Sequence, residues 1–412
     1  YKYVRIDLDF LIVKKNNKIN IKNYDIFFSF LLLGMTSFGG PIAHIGYFRN
    51  FFVKHKKWLD EKLYADFVSL CNFLPGPSSS QVGISIGYYL KGIKGAILAW
   101  VGFTMPSVII LMLFGYTILN YDSSIPQGVL KGLKAIVVII VFQAILGMSK
   151  NLLKDNIGYL ITFFTALFLI IFPSSLNQLM CLLISGLIGA FVYREQKIKG
   201  KSQKLFIKIG FWKIFPIILF FVFLIILPIM NEIFNFNLLN LANSFFKVGS
   251  LVFGGGHVVL PLLNEEFVAS GMIENDLFLA GYGASQAIPG PLFTFSSYLG
   301  IFLKSEINTL FTSIFCLFFI FLPSFLLLLG TLSIWNELRK FDLIISAFKG
   351  VNASVIGLLI AALYNPIIIS SLKSYYDFVL ILISFGILFF TKIPQWAAVF
   401  LISFCGWTLS YI

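Results

Sequence analysis

Charge is scarce in this chain. Lys, Arg, Asp and Glu together make up 12% of its 412 residues, about half the share found in an ordinary soluble domain. No polar stretch is long enough to form an independent catalytic domain. Cysteine is rarer still: Cys71, Cys181, Cys316 and Cys405 stand far apart, without metal-ligand spacing. That leaves neither a disulfide framework nor a metal site. There is no HExxH, Walker loop or CxxC, so neither an enzyme nor a bound cofactor is expected. What fills the chain instead is apolar. Hydrophobic residues make up 58% of it, with 48 Phe, and the mean hydropathy is +0.90. Apolar runs extend from end to end, so an all-α, multi-pass integral membrane protein is the expected class.

The charge that remains is one-sided. The net charge is +13 and the pI about 9.4. The basic residues concentrate in loops, which reads as the positive-inside pattern rather than as nucleic-acid binding. Four regions are expected: a basic tail over 1–25, a first repeat over 26–193, a basic cytoplasmic linker over 194–210, and a second repeat with its leading helix over 211–412. The chain begins at Tyr1 rather than Met, so an upstream targeting segment stays open.

Phe73-Leu74-Pro75-Gly76-Pro77-Ser78-Ser79-Ser80-Gln81 interrupts the apolar background. Ala287-Ile288-Pro289-Gly290-Pro291-Leu292-Phe293-Thr294-Phe295 nearly repeats it 214 positions later. A helix does not run through Pro-Gly-Pro: the ring removes an N–H and clashes with the preceding turn, and the residue before proline leaves the α region. Each copy therefore ends one membrane helix and starts another. Upstream, 26–37 and 41–53 flank Phe38-Gly39-Gly40-Pro41, and 63–74 and 78–90 flank the first Pro-Gly-Pro. Pieces of about 12 residues reach roughly 18 Å, short of a ~30 Å hydrocarbon core. With basic residues on both flanks, each pair reads as a re-entrant hairpin from the cytoplasmic side, kinked crossings being the alternative.

Four landmarks recur in order. Phe253-Gly254-Gly255-Gly256-His257 matches Phe38-Gly39-Gly40-Pro41-Ile42, and 272–291 aligns without gaps to 58–77. Pro323-Ser324 matches Pro106-Ser107, and Lys349-Gly350 matches Lys131-Gly132. This is a duplication. The matching loops differ in charge. Loop 49–62 sets five cations against Asp60 and Glu61, a net +3, whereas 264–276 holds Glu265, Glu266, Glu274 and Asp276 with no cation, a net −4. A basic loop stays inside and its acidic twin can cross. Between them lie five full crossings, at 96–119, 128–148, 156–172, 174–193 and 211–230. An odd count turns the second repeat upside down, so charge and crossing number agree on two inverted-topology repeats. Runs 307–334, 342–364, 375–391 and 395–411 complete the second half, with Asn336-Glu337-Leu338-Arg339-Lys340 as a cytoplasmic turn.

Inverted repeats with broken helices point to a secondary transporter. A helix N-terminus leaves about four N–H groups unpaired and carries roughly half a positive charge, which suits an anion. The half-helices starting at Ser78 and Leu292 would aim such ends inward from opposite faces. Ser78, Ser79, Ser80 and Gln81 furnish one first turn, and Thr294 and Ser296 the other. Gly76 and Gly290 admit close approach of a ligand, and Pro75, Pro77, Gln286, Pro289 and Pro291 frame the breaks. Purely structural breaks are the alternative. A shared site requires the two Pro-Gly-Pro turns to lie near each other at mid-membrane, within about 20 Å. Gly39, Gly40, Gly254, Gly255 and Gly256 serve either tight packing or substrate contact, whereas Gly83 and Gly87 read as packing. His44 and His257 are candidates to carry a proton or donate to the anion, against a plain buried histidine. Asp66 is the candidate carboxylate for proton coupling, against a structural one. Arg49, Lys56 and Lys57 either draw an anion to the cytoplasmic mouth or only mark topology.

FGGPIAHIGYFRNFFV (38–53), KWLDEKLYADFVSLCNFLPGPSSSQVGISIG (57–87), VFGGGHVVLPLL (252–263) and FLAGYGASQAIPGPLFTFSSYLG (278–300) closely resemble the chromate ion transporter family, in its long-chain, two-domain type. Its hallmark segments fall on Phe38–Pro41, His44, Trp58, Asp60, Glu61, Asp66, Pro75–Pro77, Gln81, Phe253–His257 and Gln286–Pro291. The resemblance implies a multi-pass transporter that extrudes chromate, driven by the membrane potential or a proton gradient, with sulfate as the competing dianion. The plasma membrane is the expected location and an organelle membrane the alternative; a homodimer is left open. Uptake or exchange of sulfate or another oxyanion, a passive anion channel and a scaffolding membrane protein are the other readings.

Overall fold

The computed structural model describes residues 21–120, 127–194 and 211–410, apart from 235, 254, 333 and 336–341. The tail over 1–20, nearly all of the basic linker, Gly254 and the expected turn at 336–340 lie outside the described residues. The first repeat runs through α1 (Asn23–Thr36), α2 (Gly40–Phe48), α3 (Glu61–Phe73), α4 (Ser78–Asn120), α5 (Gln127–Leu152), α6 (Asn156–Ile171) and α7 (Ser175–Val192). A linking helix, α8 (Phe211–Phe234), follows. The second repeat runs through α9 (Asn237–Leu251), α10 (Val259–Leu263), α11 (Asn275–Ala287), α12 (Phe295–Phe302), α13 (Thr309–Leu332), α14 (Asp342–Ala362), α15 (Tyr375–Phe390) and α16 (Gln395–Leu409). No strand occurs among the described residues. Among the described residues six helices are long and apolar enough to cross a membrane, so the chain is an all-α, multi-pass membrane protein.

Local chemistry sets the breaks. α3 begins where the Asp60 carboxylate accepts the Leu63 N–H at 2.7 Å, and it stops at Leu74, the residue before Pro75. α4 turns back on itself at Lys91-Gly92, where Gly92 has φ +62°. Its first arm (78–90) then lies against its second (93–120). Gly87 and Gly95 meet so closely that a methyl group on either would sit 2.2 or 2.1 Å from the other's carbonyl oxygen. The short pair around Pro-Gly-Pro is thus a hairpin that returns to the face it came from, and Gly87 serves packing as expected.

The two repeats pack by the same rules. A methyl on Gly34 would sit 2.6 Å from the Phe103 carbonyl, and one on its counterpart Gly249 would sit 2.2 Å from the Ile320 carbonyl. α1 therefore fits against α4 as α9 fits against α13. The later helices are exchanged. A methyl on Gly132 of α5 would stand 2.5 Å from the Ile402 carbonyl of α16, and one on Gly350 of α14 would collide with the Ser185 carbonyl of α7. Small residues let these backbones touch. Each repeat thus completes its helix bundle with helices of the other.

Cross-loop contacts sort the helix ends onto two faces. At one face the Glu306 carboxylate accepts the Asn237 and Leu238 N–H groups (2.8 and 3.1 Å), which caps α9, and Ser175 donates to Glu266 (3.2 Å). At the other the Tyr193 hydroxyl donates to Asp155 (2.7 Å) and Ser346 donates to the Tyr193 carbonyl (3.0 Å). This is the alternation that five intervening crossings require. We call them the acidic and the basic face. α8 packs on α9 and α13 and leaves most of its surface to lipid.

Candidate functional site

The four breaks meet crosswise. The Gly76 N–H donates to the Val252 carbonyl at 2.7 Å, and the Gly290 N–H donates to the Ser37 carbonyl at 3.0 Å. Gly76 and Gly290 are counterparts, and so are Val252 and Ser37. Each Pro-Gly-Pro turn is docked on the other repeat's glycine break. Both glycines have positive φ, +120° and +113°. A side chain on Gly76 would strike Ser324 Oγ at 2.1 Å, and one on Gly290 would strike Ser107 Oγ at 2.7 Å, again a matched pair. Gly256 closes the ring: a methyl there would touch Leu292 (3.5 Å) and Pro41 (3.6 Å). Of the glycine clusters, Gly39, Gly255 and Gly256 border open space beside the docked breaks.

That space is a cavity of about 610 Å³ between α2, α3 and the second half of α5. Its lining reaches the basic-face end of α5 at Asn151 and Leu152. Gly39, Gly76, Ser78, Gly255, Gly256 and His257 line it, all predicted from sequence. His257 Nδ1 is hydrogen-bonded to the Tyr282 hydroxyl at 2.8 Å. The lining also includes Asn72, Gln143, Asn151, Asn352 and Gln395. Those last four of α5, α14 and α16 were not anticipated. The available signal is an amide interrupting an apolar run, where a polar group is costly and therefore informative. Lys, Arg, Asp and Glu are absent from the described lining; most of the lining is apolar, and its polar part comes from amides, the Ser78 hydroxyl, the His257 imidazole and backbone rather than from formal charge.

Behind Ser78 lies a buried polar cluster. Gln81 Nε2 donates to the Pro75 carbonyl at 2.7 Å and clamps the turn. Ser79 Oγ lies 3.3 Å from His44 Nδ1, and both residues are 1% exposed. Ser37 Oγ, Ser80 Oγ, Gln81 Oε1 and Ser324 Oγ are buried without a protein partner. The first intrahelical bond runs from the Gln81 N–H to the Pro77 carbonyl (3.0 Å), so the N–H groups of Ser78, Ser79 and Ser80 precede the helical ladder. An unmet buried polar atom costs about 1–3 kcal/mol. Ser80 and Gln81 belong to the first turn of α4, Ser324 faces Gly76, and Ser37 lies at the break on which Gly290 docks.

The second break is built otherwise. Thr294 Oγ1 donates to the Pro291 carbonyl (2.6 Å), Ser296 Oγ to Phe293 (2.8 Å) and Ser297 Oγ to Thr294 (2.7 Å). Its hydroxyls are spent on their own backbone. Leu292, Phe293 and Phe295 stand where the first copy has Ser78, Ser79 and Gln81. Pro289, Gly290, Pro291 and Thr294 stay outside the cavity lining, and Gln286 reaches it only through Gln395, whose Nε2 lies 3.3 Å from Gln286 Oε1. Gly40 and the half-buried Asp66 are not lining residues either. Gly83-Ile84-Ser85-Ile86-Gly87 has the spacing of a hydrolase nucleophile turn. It lies inside a helix, with Ser85 fully buried beside Cys71 Sγ (3.6 Å), so it lacks the exposed strand-to-helix turn that chemistry needs.

Inverted repeats, broken helices and a one-sided polar cavity define a membrane transporter. The sequence profile of the chromate transporter family matches residues 24–190 and again 239–407, once in each repeat, and the chain belongs to that family. An uncharacterized transporter of Methanocaldococcus jannaschii is 30% identical over 354 residues, covering 84% of this chain and 85% of its own. A chromate transport protein of Cupriavidus metallidurans is 25% identical over 355 residues, with 84% and 82% coverage. One from Pseudomonas aeruginosa is 22% identical over 350 residues, with 81% and 78% coverage. No solved structure matches the chain.

Proposed function

We propose that the chain exports chromate, loading the dianion from the basic face onto the N-terminus of the half-helix that begins at Ser78. One observation carries this reading: Gly76 and Ser78, at the N-terminus of that half-helix, line the cavity, and the Ser80 hydroxyl behind them is buried without a protein partner. The chromate transport proteins among the relatives support the choice of cargo. A tetrahedral oxyanion can accept from the Ser78–Ser80 N–H groups, from serine hydroxyls and from carboxamides. Hydrogen bonds to a charged partner contribute about 1.5–3 kcal/mol each, which compensates for the lack of a cation in the cavity. The crossed docking of Pro75-Gly76-Pro77 and Pro289-Gly290-Pro291 makes both breaks parts of one mechanical unit, the first contacting the anion and the second bracing it. His44, His257 and Asp66 are the candidates for coupling to a proton gradient, with the membrane potential as the other driving force.

The one-sided cavity favours an alternating transporter over a passive channel, because α11 is packed against α5 and α16 on the acidic side. Sulfate has the same shape and charge as chromate, and no cavity side chain reads the central atom, so it is the expected competitor. The test is labelled chromate and sulfate flux in liposomes holding the purified protein, under imposed pH and voltage gradients. Saturable chromate export that Pro75→Ala and Pro289→Ala abolish in folded protein is the expected result. Export untouched by either substitution overturns the broken-helix site, and unitary currents without saturation mark a channel.

A further inference from the structure

We propose that Lys134 is a second anion-binding residue of the transport path, belonging to the state open at the acidic face, and that Asp276 occupies it while that face is closed. The proposal rests on the oxyanion-transport reading above. Lys134 lies inside the apolar α5 and is 7% exposed. Its Nζ is 2.9 Å from Asp276 Oδ1, in the first turn of α11. A cation within a membrane helix is costly and commonly functional.

Inversion gives this pair a use beyond static bracing. Lys131-Gly132 and Lys349-Gly350 are counterparts, and the same register pairs Lys134 with Asn352. The packing supports that register, since Gly132 and Gly350 make equivalent contacts with the carbonyls of Ile402 and Ser185. Asn352 lines the cavity open to the basic face. On the acidic side α11 sits tight on α5, where a methyl on Gly283 would stand 3.0 Å from the Leu133 carbonyl. Its counterpart α3 meets α14 through Phe73 at its last residue, whose ring lies 4.3 Å from that of Phe348, and the cavity is bordered by Val68, Cys71 and Asn72 of α3 and by Asn352 of α14.

An inverted repeat opens its other face when the two halves trade such arrangements. If α11 splays from α5 until a cavity separates them, as one does between Val68, Cys71 and Asn72 of α3 and Asn352 of α14, Lys134 comes to border the acidic-face cavity in the place that Asn352 holds here. Asp276 rides on α11 and leaves with it. Lys134 then meets the dianion, and the face closes again only once the anion gives way to Asp276. Closure of the acidic face is thereby linked to an emptied site.

The test uses Lys134→Cys in a chain whose Cys71, Cys181, Cys316 and Cys405 are replaced by alanine, reconstituted in liposomes and exposed to a membrane-impermeant thiol reagent. The expected result is labelling from the acidic face alone, slowed about fivefold or more by sulfate or molybdate on that face, dianions that do not oxidise thiols. A thiol that stays unlabelled from the acidic face, or labelling that neither anion slows, overturns the proposal. A second measurement uses the four native cysteines intact. Asp276→Asn is expected to strengthen inhibition of chromate export by sulfate at the acidic face about tenfold, and the double variant Lys134→Asn/Asp276→Asn, which leaves no unpaired buried charge, is expected to lose it. Unchanged inhibition in both overturns the proposal. Absence of any oxyanion flux in the unmodified chain fails the transport reading itself, whereas flux with an unlabelled thiol fails this proposal alone.

Discussion

The two Pro-Gly-Pro breaks share a backbone and differ in everything attached to it. Both glycines take positive φ, both donate to the opposite glycine break, and both press on a serine of the opposite long helix. Yet the first turn after the first break is serine-rich, with buried oxygens lacking protein partners, while the second is capped by its own hydroxyls and sealed by Phe278, Tyr282, Phe293, Phe295 and Tyr298, each 0–1% exposed. The two copies share the backbone geometry of the break and differ in the side chains that follow it. The difference also tells which face is open: α3, carrying the polar turn, borders the cavity, and α11, carrying the aromatic one, is packed shut.

The largest effect tests what the copies share. Gly76→Ala should abolish transport and lower the melting temperature, because positive φ alone costs a Cβ residue about 1–2 kcal/mol and Ser324 Oγ blocks the added methyl. Gly290→Ala should do the same, and Ser324→Gly should partly restore the melting temperature of Gly76→Ala. Thermal unfolding of the purified variants and their liposome flux decide this; a functional Gly76→Ala protein would show that the crossed docking is dispensable.

The next effect tests what they do not share. Ser80→Ala and Gln81→Leu should raise the KM for chromate roughly 10- to 100-fold, the loss expected for one charged hydrogen bond of about 1.5–3 kcal/mol. Thr294→Val and Ser296→Ala should leave KM within about threefold and cost about 0.5–1.5 kcal/mol of stability, one neutral hydrogen bond. Equal KM effects in the two copies would erase the proposed asymmetry. Smaller still, Gln143→Ala and Asn352→Ala should each raise KM about three- to tenfold, the share of one neutral donor, read from the concentration dependence of flux.

The smallest effect concerns the loops. Arg49 and Glu61 form an ion pair whose side chains are 49% and 55% exposed. Breaking it with Glu61→Gln should change stability by no more than about 0.5–1 kcal/mol. The acidic-face pair of Lys247 and Glu266 (2.5 Å) is 30% and 15% exposed, and Glu266→Gln should cost more. Melting temperatures of the two variants in detergent make the comparison.

Much of this was legible before any coordinates. Pro and Gly act through their own backbone limits, so the breaks at 38–41, 74–77, 253–256 and 288–291 could be read locally. Loop charge and an odd number of crossings established the inversion, because both are countable along the chain. Local chemistry could not say which break packs on which. Only tertiary structure decided that each Pro-Gly-Pro docks on the other repeat's glycine break, that α5 and α14 are exchanged between bundles, and that Gln143 and Asn352 line the cavity while Lys134 pairs with Asp276. Those choices depend on helix-to-helix contacts between residues more than 200 positions apart, such as Gly132 with Ile402. They also depend on which of two inverted arrangements is closed, a property of the packed whole that no stretch of sequence carries alone.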